Sequence, residues 1–187
     1  MLVLVVGPSG AGKDTLIGGA KEALAGDGRF EFPRRIVTRD AMAELEDHDS
    51  LDRDGFERAL ERGRFALHWD AHGLRYGLPA SIGTSLAAGK VVVANVSRRA
   101  IGAARAKYPD CVVLLVTSDS AIRAGRLAAR GRESAPEIAA RLAREGAAVP
   151  EDVTPVVIDN SGPQEAGVGR FVAALRDAAG AIQNPPQ

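Results

Sequence analysis

Four short, largely apolar runs punctuate the chain, at Leu2–Val6, Val91–Val96, Val112–Val116 and Pro155–Ile158. Each is rich in β-branched residues and too short for a globular helix, so each reads as a strand buried on both faces. Amphipathic stretches separate them: Asp14–Leu24, Ala100–Lys107, Ser118–Ala129 and Pro136–Ala147 carry the spacing of helices. Strands alternating with helices predict an α/β fold of three layers, α/β/α, around a central parallel sheet. Ligands in such sheets bind beyond the C-terminal ends of the strands. One stretch breaks the alternation. Residues 34–79 hold an acidic run from Glu44 to Asp54, a helix around Phe56–Arg62, and then Trp69, His72 and Tyr76-Gly77. It is too polar for core and too long for a structureless loop, so it predicts a small inserted substrate-binding subdomain. The core is then 1–33 and 80–183, one domain in all, with Asn184–Gln187 a frayed tail.

The first strand runs straight into Gly7-Pro8-Ser9-Gly10-Ala11-Gly12-Lys13-Asp14-Thr15. Strand, loop and helix in that order, with the spacing G-x-x-x-x-G-K, form a phosphate-binding P-loop. Its glycines let backbone N–H groups turn inward around phosphate oxygens, the helix N-terminus adds a positive dipole end, and Lys13 reaches the outer phosphates. After the lysine a P-loop ordinarily has Ser or Thr, whose hydroxyl ligates Mg²⁺. This chain has Asp14, and the hydroxyl follows one residue later at Thr15.

Composition narrows the partners. The 187 residues carry 24 basic and 24 acidic side chains and few aromatics, so no basic field or stacking platform for nucleic acid exists. No apolar stretch approaches the roughly 20 residues of a membrane span, and the N-terminus reads as a core strand rather than a signal peptide. These features predict a cytoplasmic protein, monomeric or homodimeric, with no membrane or nucleic-acid partner. The lone Cys111 stands at the head of an apolar run and is expected to be a buried core thiol.

A second charged constellation comprises Arg123, Arg126, Arg130, Arg132 and Arg141. The first three share a helix face at i, i+3, i+7; Gly131 then ends that helix, and Ser134-Ala135-Pro136-Glu137 opens the next. A solvated arginine face explains the spacing when it is taken alone. Beside a P-loop, basic helix–loop–basic helix predicts a helical lid over about 126–141, its guanidiniums closing on the transferring phosphates.

Together these motifs resemble the guanylate-kinase-like branch of the P-loop kinases over nearly the whole chain. Within it they are most similar to the ribose 1,5-bisphosphate phosphokinase (PhnN) family of phosphonate breakdown. The similar segments are GPSGAGKD, Thr38-Arg39-Asp40-Ala41, His72-Gly73-Leu74-Arg75-Tyr76-Gly77, Asn95-Val96-Ser97-Arg98 and Arg130-Gly131-Arg132-Glu133. The resemblance implies ATP-dependent conversion of ribose 1,5-bisphosphate to 5-phosphoribosyl 1-diphosphate, with ATP and Mg²⁺ as cofactors. It implies catalytic roles for Lys13, Arg126, Arg130 and Arg141, and an acceptor site formed by Arg39, His72 and Tyr76.

Two departures from guanylate kinases shape that reading. Those enzymes hold the GMP phosphate with a second arginine, where Met42 stands here, and a tyrosine, near which His48 falls. A dianionic phosphate lacking its guanidinium binds poorly, so GMP is disfavoured. They also carry an acidic residue where this chain has Asn95. Asp14 and Thr15 are therefore the expected metal-side residues, Asp14 supplying, directly or through water, the negative charge Asn95 lacks. A nucleoside-monophosphate kinase, a small sugar-acid kinase and a non-catalytic interaction module are the alternatives.

Overall fold

A computed structural model describes residues 1–39, 48–129, 131, 134–143 and 147–183. In chain order its elements are β1 (Leu2–Val6), α1 (Lys13–Ala23), β2 (Phe30–Glu31), β3 (Arg35–Val37), β4 (His48–Ser50) and α2 (Arg53–Glu61). A hairpin of β5 (Phe65–Ala71) and β6 (Leu74–Pro79) follows, then α3 (Ile82–Ala87), β7 (Val91–Asn95) and α4 (Ile101–Lys107). The chain continues through β8 (Val112–Thr117), α5 (Ser120–Ala129), α6 (Ala135–Ala143), β9 (Val156–Asp159) and α7 (Gln164–Gln183).

The central sheet has the order β2-β7-β1-β8-β9, with every pairing parallel. Strand pleating divides β1 between two cores. Val3 and Val5 face a cluster with Leu16, Phe171 and Leu175, under α1 and α7. Leu2, Leu4 and Val6 face a cluster with Ile82, Ile101 and Trp69, under α3, α4 and the β5–β6 hairpin. This is the expected α/β/α layering. The last strand differs from expectation: Val156 and Val157 are 47% and 58% exposed, because β9 is the sheet edge and only Ile158 turns into the core. Cys111 is likewise only half-buried against the second core, and burial raises its thiol pKa.

α7 is the largest element without a sequence-level forecast. Phe171 at its centre is fully buried, so Phe171→Ala should cost about 3–5 kcal/mol of stability, read by denaturant unfolding. Among the described residues no helix is long and apolar enough to cross a membrane.

Strands β3 to β6 build a second sheet of order β4-β3-β6-β5. Phe65 stacks on Phe56 of α2 at 4.5 Å between centroids, which fixes that helix to the sheet. Arg75 ties the same two elements: it pairs with Glu57, lies over Phe56, and donates its backbone N–H to Thr38 Oγ1 at 2.8 Å. Asp52 caps α2 by accepting from Gly55 N–H.

Candidate active site

The β1–α1 loop sits at the C-terminal edge of the sheet, as parallel topology requires. Two of its glycines are dictated by close approach. A Cβ at Gly7 would lie 2.2 Å from the Val116 carbonyl oxygen of β8, and one at Gly12 would lie 2.4 Å from Asn160 Nδ2. Gly12 also has φ +89°, where a side chain is strained. The loop is therefore wedged between β8 and the segment after β9.

Its carbonyls are held by side chains from those neighbours. Arg123 Nε donates to Ser9 O at 3.0 Å, and Asn160 Nδ2 donates to Ala11 O at 2.8 Å. Arg126 donates to Ala11 O, to Ser118 Oγ and, at 2.8 Å, to Asn160 O. Across a trans peptide the next residue's N–H points opposite to the carbonyl. Fixing the Ser9 and Ala11 carbonyls outward thus turns the Gly10 and Gly12 amides into the loop, the arrangement of an anion-binding nest. Lys13 Nζ lies on the same loop, donating to Gly7 O at 2.8 Å and Pro8 O at 3.1 Å.

Past the lysine, Asp14 and Thr15 are exposed in the first turn of α1. Asp14 Oδ1 accepts from Asn95 Nδ2, at the end of β7, at 2.6 Å. The Asp14 carboxylate and the Thr15 hydroxyl are hard oxygen donors beside the loop. Mg²⁺ needs no more, since it takes one or two carboxylates together with phosphate oxygens and water. Among the described residues no group of three or more His, Cys, Asp or Glu gathers into an all-protein metal cage.

On the small sheet, Trp69 and Tyr76 are register partners on β5 and β6 and stack at 5.6 Å. The Arg35 guanidinium also lies over the Tyr76 ring, at 5.7 Å. Arg39 follows β3, two residues past Val37. A cavity of about 350 Å³ lies between α2 and this sheet, lined by Ile36, Phe65, Arg58, Arg62 and Arg64 among others. No P-loop residue lines it, so it is not the phosphate site.

No family model matches the chain. Individual proteins do. Over 177 residues, 95% of this chain and 92% of the other, it is 52% identical to a ribose 1,5-bisphosphate phosphokinase PhnN of Brucella melitensis. The chain belongs to the ribose 1,5-bisphosphate phosphokinase family. A second family member, from Methylobacterium radiotolerans, is 51% identical over 94% of this chain and 97% of its own. The phosphokinase fold is also that of a guanylate kinase from Anaplasma phagocytophilum, with a TM-score of 0.69 at 17% identity over 94% of this chain and 85% of that one.

Within this phosphokinase the anticipated residues fall into three groups. Gly7 through Thr15 form one continuous loop and helix start, with Arg126 packed against it. Tyr76 belongs to the small sheet, Arg39 to the segment just after β3, and Arg141 to α6. Arg130, Arg132, Asp40 and Met42 lie outside the described residues. His72 stands at the exposed tip of the β5–β6 hairpin with φ +55°, next to Gly73 at +74°. Two positive φ values mark a tight hairpin turn. His72→Asn is expected to preserve stability, because asparagine also tolerates the left-handed region. Any rise in acceptor KM then measures the imidazole itself. The buried amide of Asn160 holds the loop, a role that no local motif signals.

Proposed function

We propose that this phosphokinase transfers the γ-phosphoryl group of ATP to the 1-phosphate of ribose 1,5-bisphosphate, forming 5-phosphoribosyl 1-diphosphate and ADP. Identity of about half over nearly the full length of both chains carries the choice of acceptor. The preformed amide cradle with Lys13 supports the choice of chemistry. An oxygen of the 1-phosphate forms the new P–O bond, and the bond from the γ-phosphorus to the β–γ bridging oxygen breaks. With a second pKa near 6, that acceptor is already largely dianionic at neutral pH. No general base is needed, and the protein's task is positioning and charge stabilisation.

In this reading Lys13 and the loop amides hold the β- and γ-phosphates. Arg126 braces that cradle at the root of a lid over residues 126–141, which carries Arg130 and Arg141 over the transferring phosphates. Arg39, Tyr76 and His72, on the insertion 34–79, take the sugar phosphate. Asp14 and Thr15 would hold Mg²⁺, which supplies charge neutralisation at the β- and γ-oxygens. The substrates are charged metabolites, and we place the reaction in the cytoplasm.

Phosphorus NMR of the product tests the acceptor. Phosphate attack gives the coupled resonances of a diphosphate ester, whereas attack by a ribose hydroxyl would give a new monoester and refute the reading. For the metal, Asp14→Ser should raise the Mg²⁺ concentration for half-maximal turnover about tenfold. An unchanged requirement would remove Asp14 from the metal side.

A further inference from the structure

Asn95 and Asp14 are 81 positions apart in sequence, yet their side chains meet at 2.6 Å. The contact follows from the sheet. Asn95 is the last residue of β7 and pairs in register with Val5 of β1, the strand that launches the P-loop. The end of β7 therefore lies beside the first turn of α1. A carboxylate only accepts, so the amide must present its NH₂ to Asp14, and the orientation of Asn95 is fixed by chemistry.

Asp14 needs such a partner. It is exposed and in the first helical turn, where a short carboxylate has other rotamers available and helix N–H groups to turn toward. The bond from Asn95 selects the rotamer aimed across the mouth of the loop toward the β7 end. The donor is also neutral. An aspartate at 95 would set two negative charges in contact, and an aliphatic residue would orient nothing.

We propose that Asn95 is a positioning residue for Asp14, holding its carboxylate in the orientation that receives Mg²⁺ with the nucleotide, directly or through water. The inference rests on the metal-side reading of Asp14 given above. Residues that hydrogen-bond a metal ligand ordinarily contribute about 10–100-fold to metal affinity or activity. The lower end suits an exposed pair.

Calorimetric titration of the full chain with ADP, with and without Mg²⁺, tests this apart from turnover. The proteins are the wild type, Asn95→Ala, Asp14→Ser and the double variant. Asn95→Ala should reduce the affinity gained from Mg²⁺ about tenfold and leave ADP affinity without Mg²⁺ unchanged. In the Asp14→Ser background the same substitution should add nothing. Should Asp14→Ser shift the Mg²⁺ effect while Asn95→Ala does not, the positioning role is wrong and the metal reading stands. An Asn95→Ala effect that persists at full size without Asp14 likewise overturns the positioning role. If Asp14→Ser itself changes nothing, the metal reading falls and takes this inference with it.

Discussion

Lys13→Ala is expected to reduce ATP turnover by on the order of a hundred- to a thousandfold, the size seen when one preorganised charge-stabilising donor is removed. The fold should survive. Lys13 is only half-buried, and its ammonium bonds two loop carbonyls rather than filling a core position. The amide cradle is set by Arg123, Asn160 and Arg126, none of which depends on Lys13. The variant should therefore unfold at the wild-type temperature and still bind nucleotide weakly while failing to turn it over. Steady-state kinetics beside thermal unfolding checks both halves. Wild-type turnover that survives the substitution would point to an interaction module with contaminating activity.

Arg126→Ala should act in the opposite proportion. Its guanidinium satisfies the carbonyls of Asn160 and Ala11 and the Ser118 hydroxyl, joining the ends of β8 and β9 to the loop. A well-formed hydrogen bond from a charged donor is worth about 1.5–3 kcal/mol, here the one to Asn160 O at 2.8 Å; the bonds at 3.3 and 3.4 Å add less. A stability loss of about 2–4 kcal/mol follows, or roughly 5–15 °C in Tm for a chain of this size. KM for ATP should rise with it, because the Ala11 carbonyl loses one of its two donors and Asn160, which supplies the other, loses its own brace. Arg141→Ala is the contrasting variant: on α6, in the proposed lid, it should lower kcat with Tm nearly unchanged. Equal effects of the two substitutions on Tm would refute the division between loop brace and lid.

The sequence revealed most about this fold where local pattern and tertiary role agree. Leu2–Val6 and Val112–Thr117 are apolar because both faces of those strands are covered, so composition alone marks them. The P-loop was legible because its spacing is a local motif, although Gly7 and Gly12 also make room for Val116 and Asn160. α7 was not legible because its glycines answer to something distant. Gly167 leaves room for the Asn160 amide, with Oδ1 2.2 Å from where its Cβ would be, and Gly19 of α1 admits Val168 at 2.6 Å. Those glycines weaken intrinsic helix propensity while permitting the α1–α7 packing that stabilises the helix. The β5–β6 hairpin was hidden similarly. Its bulge between Phe65 and Leu67 breaks strict alternation, and its turn uses His72 where asparagine or glycine is the usual signal. At the site, individual residues could be named from spacing, but the Asp14–Asn95 and Ala11–Asn160 bonds span 81 and 149 positions. Only the sheet order brings those partners together.

The central claim is a phosphotransferase whose acceptor is itself a phosphate. ATP consumption measured against ribose 1,5-bisphosphate, GMP, other nucleoside monophosphates and gluconate, each at the same concentration, addresses it in one experiment. Efficient turnover with ribose 1,5-bisphosphate and little with the rest is the predicted result. Turnover with GMP or gluconate and none with the bisphosphate would contradict the account.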